Sequence, residues 1–123
     1  MTSPAVQHSW RDALVKPMTS IREAVRVLDQ SALKIVLVVD EEQRLVGTIT
    51  DGDIRRALAN GQNNVAAADI MTRNPRTIQE DGLAAEALSM LSEFHITALF
   101  IVDAQNVPIG LLHVHDCLAI GVV

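Results

Sequence analysis

The sequence has little with which to build covalent or aromatic structure. Its 123 residues include one cysteine, Cys117, which excludes an intrachain disulfide and any multi-cysteine metal site. Aromatic residues make up 2% of the chain: no tyrosine, two phenylalanines and one tryptophan. No apolar run approaches the roughly 18 residues needed to cross a bilayer. The first residues, Met1 to Ala5, lack the basic and apolar regions of a secretory signal. Positive charge is also in deficit, with ten Lys and Arg against fifteen Asp and Glu and a net charge of −5. A general nucleic-acid binder needs a basic face. These absences point to a cytoplasmic protein with neither a membrane nor a nucleic-acid partner. A small anionic ligand stays open, since local arginines can override the global charge.

What is present is aliphatic. Hydrophobic residues are 49% of the chain, so Val, Ile, Leu and Ala must form the interior. The length suits one compact domain or two small subdomains sharing a core.

The chain is written twice. Shifted by 63 positions, its halves register without a gap. Val39-Asp40 falls on Val102-Asp103, Gly47 on Gly110, Asp53 on Asp116, and Glu23, Ala24 and Leu28 on Glu86, Ala87 and Leu91. The apolar runs 35–40 and 45–50 likewise match 98–103 and 108–113. Ser20 and Glu23 have the spacing of a capping box, which predicts a helix from Ile21 with Ile21, Ala24, Val25 and Leu28 on its apolar face. In the second half Asp81 is the matching cap, before a face of Leu83, Ala84, Ala87, Leu88 and Leu91. Strands follow at 35–39 and 45–50, joined by a short polar turn at Asp40, Glu41 and Glu42. Their copies are 98–102 and 108–112. A short extended piece precedes each first helix, near 13–16 and 76–79, and a short helix closes each unit, near 52–59 and 115–120.

The expected fold is therefore α+β: two β-α-β-β-α repeats packed face to face with pseudo-twofold symmetry. Residues 1–10 are a tail, 11–62 the first repeat and 63–123 the second, in one integrated module. The polar segment 60–64 connects the repeats. About 60 residues bury too little surface for either half to stand alone comfortably.

The segment GTITDGDIRR (47–56), repeated as GLLHVHDCL (110–118), carries a Gly-x-x-Thr-x-x-Asp pattern at the junction of the last strand and last helix. This resembles the ligand motif of tandem cystathionine-β-synthase-type (CBS) domains, the Bateman module, over residues 11–123. ADIMTRNPRTI, HITALFIVD and the ending GLLHVHDCLAIGVV are similar to the C-terminal CBS pair of arabinose-5-phosphate isomerases, which supply the precursor of the sugar acid Kdo. The first half is similar to CBS pairs fused to sugar-nucleotide transferases. By this resemblance the chain is a free-standing module, a fragment or an excised piece. It is a regulatory, allosteric attachment to a sugar-handling enzyme, with a sugar-phosphate isomerase or a nucleotidyltransferase as the partner.

The resemblance implies a nucleotide or nucleotide sugar as ligand, either an adenine nucleotide or a CMP-sugar, no cofactor, and a homodimer formed through helices. It places Val15, Lys34 and Ile35 near one base, and Ile78, Thr97 and Ala98 near the other. Gly47 lets the ligand approach the backbone. Thr50, with the amides of the helix N-terminus, donates to phosphate. Asp53 accepts from the ribose hydroxyls, while Arg55 and Arg56 supply forked donors to phosphate. In the second half Gly110 and Asp116 are kept, but His113 stands at the Thr50 position and His115 at the Gly52 position.

Each of these readings has a structural rival. Thr50 and Asp53 are favoured helix caps. Asp51 suits a cap or a solvated position. Arg55 and Arg56 are adjacent, so one faces the site and the other solvent. His113 and His115, with Asp116 and His95, form too weak a cluster to assign a metal. Cys117 aligns with Ile54 and reads as a small apolar core residue. Met71 and Met90 read as core, and Trp10 packs the N-terminal segment onto the module or a second copy. There is no nucleophile set beside a base and no Walker-type loop, so the chain is expected not to be an enzyme. The alternative function is a structural dimerisation module without a ligand.

Overall fold

In a computed structural model, the structure describes residues 10–31, 34–81, 89 and 98–113. The chain divides into two compact units between Pro75 and Arg76. Each unit carries a small mixed sheet.

In the first unit a short 3-10 turn, Trp10–Ala13, leads into β1 (Leu14–Val15) and helix α1 (Ile21–Gln30). The hairpin strands β2 (Ile35–Val39) and β3 (Leu45–Thr50) follow, then helix α2 (Asp51–Ala59). Helix α3 (Ala67–Ile70) and β4 (Thr72–Arg73) complete the unit. The sheet order is β1-β2-β3-β4, with β1 parallel to β2 and the other pairs antiparallel. In the second unit β5 (Thr77–Gln79), β6 (Ala98–Val102) and β7 (Pro108–His113) form a three-stranded sheet in that order.

Helix α1 starts where the sequence signals it. The Ser20 hydroxyl oxygen accepts from the Glu23 N–H at 3.1 Å, satisfying one of the free amides of the first turn. Ile21, Ala24 and Leu28 are buried against Val36, Val38 and Ile49 of the sheet. Val25 departs from the expectation: it is 39% exposed. Val27 instead packs against the core. At 100° per residue Val25 and Val27 flank the buried stripe on opposite sides, so the tilt of the helix decides which one enters. Trp10 is buried, and the Arg11 guanidinium lies over its ring.

The 63-residue repeat is preserved in backbone detail. Leu14 and Val15 pair with Leu37 and Val38, while Thr77 and Ile78 pair with Phe100 and Ile101. The ladder irregularity at Val38/Val39 recurs at Ile101/Val102. The turns agree atom for atom. Asp40 Oδ1 accepts from the Glu42 and Arg44 amides, and Asp103 Oδ1 from those of Gln105 and Val107. Gln43 and its counterpart Asn106 both sit at φ 67, in the left-handed region.

The segment after the inter-repeat connection docks back onto the first unit. Ile21 N–H donates to the Val65 carbonyl at 2.8 Å, Ala67 N–H to that of Thr19 at 2.6 Å, and Ala68 N–H to that of Pro17 at 2.9 Å. β4 then pairs with β3, Gly47 with Arg73 and Thr48 with Thr72. Ala67 joins the buried core. Residues that open the second half of the sequence thus complete the first sheet. Among the described residues no helix is long and apolar enough to cross a membrane.

Candidate ligand site

The site is a strand-to-helix junction. Thr50 ends β3 in an extended conformation, φ −117 and ψ 174, and is the N-cap of α2. Asp53, one turn into the helix, folds its carboxylate back. Its Oδ2 accepts the Thr50 N–H at 2.9 Å and the Thr50 hydroxyl at 3.1 Å. Its Oδ1 accepts the Thr72 hydroxyl at 2.9 Å and a hydrogen bond from the Arg56 guanidinium. Asp53 is only 5% exposed. A buried charge requires this company, because an unpaired carboxylate out of water is costly. Its charge also suits the positive end of the helix dipole.

The two arginines divide as adjacency requires. Arg56 reaches Asp53, whereas Arg55 pairs with Asp51 at 3.3 Å, both side chains more than 70% exposed. An ion pair so exposed contributes little.

The structure gathers some of the expected site residues and separates others. Ile35 pairs directly with Thr50 across the hairpin. Lys34 precedes it, exposed and at φ 56, with its ammonium donating to the Asp29 carbonyl at 3.1 Å. Val15 is not at this end of the sheet. It lies beside Val38, three ladder positions from Ile35, which is about 10 Å along a strand. It is buried in the core because β1 enters the sheet at the far end of β2. Gly47 does not face open space: a Cβ there would lie 2.5 Å from Met71 Sδ and 3.0 Å from the Thr72 carbonyl oxygen. The close approach this glycine permits is that of β4.

In the second unit Ala98 pairs with His113, the counterpart of Ile35 with Thr50. Ile78 is buried beside Ile101. Gly110 is less crowded: a Cβ there would meet Ile101 Cδ1 at 3.5 Å among the described residues. Thr97, His115 and Asp116 lie outside the described residues, as do His95, Cys117, Met90 and the helices expected near 83–91 and 115–120. Among the described residues no group of three or more His, Cys, Asp or Glu is placed to hold a metal.

Thr72 is the site residue that motif reasoning missed. It lies 19 positions from Asp53, outside the Gly-x-x-Thr-x-x-Asp pattern, and its counterpart position in the first half is Ser9. Its only sequence signal is the segment ADIMTRNPRTI.

Residues 1–60 and again residues 67–122 match the CBS domain family. The chain belongs to the CBS domain family. This CBS tandem is 40% identical over 106 residues to the arabinose 5-phosphate isomerase KdsD of Pseudomonas aeruginosa, covering 85% of this chain and 32% of that protein. It is 37% identical over 111 residues to KdsD of Yersinia pestis, covering 89% of this chain and 34% of that protein. The chain thus spans about a third of the length of the curated relatives it matches. Solved CBS structures share the fold. CBSX2 in complex with AMP aligns with a TM-score of 0.73 at 25% identity, over 87% of this chain and 84% of that one. The CBS domain pair of protein MJ0100, in complex with 5′-methylthioadenosine and S-adenosyl-L-methionine, aligns with a TM-score of 0.72 at 30% identity, over 87% of this chain and 85% of that one.

Proposed function

We propose that this CBS tandem is a non-catalytic regulatory module that binds an adenine nucleotide at the Thr50–Asp53 junction. The supporting observation is its likeness, at 25% and 30% identity, to two CBS pairs described in complex with adenine-containing ligands. The junction has the chemistry for such a ligand. Asp53 offers a fixed carboxylate to a ribose diol, as acidic residues do in other nucleotide folds. The Thr50 hydroxyl and Arg56 stand beside it as phosphate donors. Ile35, opposite Thr50, offers an apolar edge to the base, with Lys34 next to it. In the second repeat Gly110, His113, His115 and Asp116 form the corresponding set.

The KdsD likeness supports a sugar-phosphate isomerase as the enzyme controlled, in cis or in trans, by a homodimeric module. A sensor of this kind works by binding two arrangements unequally. A CMP-sugar is the competing ligand, resting on the isomerase likeness alone.

A second reading, a dimerisation module in which the motif only caps α2, is favoured by the four donors already on Asp53. A thermal-shift series with AMP, ADP, ATP, S-adenosylmethionine, CMP and CMP-Kdo separates them. AMP at a hundred times its Kd stabilises by about 2.7 kcal/mol if it binds only the native state. Asp53→Asn, nearly isosteric, should lower the unliganded midpoint and also abolish the AMP response. A variant that loses stability but keeps its AMP affinity establishes the capping role instead. A response to CMP-Kdo alone moves the module to sugar-acid feedback.

A further inference from the structure

We propose that Thr72 positions the Asp53 carboxylate for both hydroxyls of a ribose, which makes the first junction selective for ribonucleotides over 2′-deoxyribonucleotides. The proposal rests on the adenine-nucleotide reading of that junction. It follows from how four donors are shared between two oxygens. Asp53 Oδ2 accepts the Thr50 N–H and the Thr50 hydroxyl, and Oδ1 accepts the Thr72 hydroxyl and Arg56. Each oxygen therefore has one donor held in place and one that can turn to a ligand.

The Thr50 N–H is held because it belongs to the N-cap backbone of α2. Thr72 is held by its strand. β4 pairs with β3 at Gly47 with Arg73 and Thr48 with Thr72. Just before it, the Met71 N–H donates to the Ala67 carbonyl at 3.0 Å, and Ala67 is buried in the core. The other two donors stand at the start of α2, where a phosphate would sit. The Thr50 hydroxyl hydrogen rotates to suit its acceptor, and the Arg56 side chain is 69% exposed. When both turn to the phosphate, each frees one acceptor position. One freed position is on Oδ1 and the other on Oδ2, the division that two hydroxyls on adjacent ribose carbons require.

Helix capping does not account for Thr72. A capping box needs the Asp53 side chain to reach back only to Thr50, and that contact is made by Oδ2. Oδ1 takes no part in it. Once Arg56 turns to the phosphate, Thr72 is the protein donor left on that oxygen. One held donor fixes one oxygen, whereas two, one on each oxygen, fix the plane of the carboxylate. The bond spans 19 positions of sequence, so the orientation of the ribose-reading group is set from β4 as well as from the helix that carries it.

The test is calorimetric titration of the full chain with AMP and with 2′-deoxy-AMP, for the wild type, Thr72→Val and Thr72→Ser. Asp53→Asn is the reference for any binding away from this carboxylate. Thr72 is exposed and valine suits a strand, so the Thr72 variants should fold. The wild type should prefer AMP about tenfold, the worth of one hydrogen bond to a charged acceptor. Thr72→Val should bind AMP about tenfold more weakly and 2′-deoxy-AMP almost unchanged, so the preference disappears. Thr72→Ser keeps the hydroxyl and should keep the preference. Thr72→Val that retains the preference, with affinities unchanged or equally weakened, overturns the positioning role and leaves the nucleotide reading standing. A wild type without the preference, or a Thr72→Ser that behaves like Thr72→Val, does the same. Wild-type AMP binding no stronger than that of Asp53→Asn overturns the nucleotide reading and this proposal with it.

Discussion

Substituting Gly47 measures how firmly β4 is held. A Cβ at this position lies 2.5 Å from Met71 Sδ, 2.8 Å from Met71 Cγ and 3.0 Å from the Thr72 carbonyl oxygen. Comfortable contacts between such atoms are about 3.5–4.0 Å. The methionine has rotatable bonds and can swing aside, but the carbonyl belongs to the paired backbone of β4 and moves only with the strand. Overpacking of this kind costs about 1–3 kcal/mol. Restricting the unfolded chain by replacing glycine returns about 0.4–1 kcal/mol. Gly47→Ala should therefore lose about 1–2 kcal/mol, a fall in Tm of about 3–10 °C for a chain of this size.

Gly110→Ala is the internal comparison, since it stands 63 positions on at the equivalent ladder position. Its Cβ finds Ile101 Cδ1 at 3.5 Å and Ile101 Cβ at 3.8 Å among the described residues, which is ordinary contact. It should be neutral or slightly stabilising. Thermal unfolding followed by circular dichroism compares the two. Gly47→Ala should also cost much less in a Met71→Ala background, giving a favourable coupling in the double-mutant cycle. Equal shifts at Gly47 and Gly110, with no coupling to Met71, would refute the packing account.

Two other perturbations are testable in the same assay. Gln43 and Asn106 occupy the same left-handed turn position, and asparagine tolerates that conformation better, so Gln43→Asn should raise the melting point by a few degrees while Asn106→Gln lowers it. Burial raises the pKa of Asp40, but the Arg44 backbone N–H and guanidinium, with the Glu42 N–H, outweigh it and leave the carboxyl below its usual value. The stability this supplies is present above the unfolded pKa and disappears as pH falls through the folded one. Melting points of the wild type and Asp40→Asn should therefore differ above about pH 4 and converge below it. A gap independent of pH would show that the charge on Asp40 is immaterial.

The hairpins were legible because strand periodicity, turn chemistry and the repeat all made the same demand. The offset of 63 transfers the register of β2 and β3 onto β6 and β7 residue for residue. The start of α1 was legible because Ser20 caps locally. The short elements α3 and β4 were not. α3 has four residues and β4 two, too short for any period, and their positions depend on bonds to Pro17, Thr19 and Gly47 far back in the chain. The same limit applies at the site. Thr50, Asp53 and Arg56 are within one turn of each other and can be read from spacing. Thr72 reaches Asp53 only through the folded sheet. Gly47 was legible as a glycine that something approaches closely, but the approaching group, Met71, was not. The place of Val15 beside Val38 was not legible, because a parallel strand's register is not written in its own sequence.

The docking of β4 has a consequence for how the molecule is made. Thr72 lies 22 positions after Thr50, the end of β3. At a synthesis rate of about 5–20 residues per second, β4 emerges roughly 1–4 s after the strand it must cover. Hairpins form in microseconds, so for that interval the nascent chain carries a finished β3 with an unpaired edge, the kind of edge that recruits other strands. That exposure falls on the ribosome, and it ends when the beginning of the second repeat has been translated.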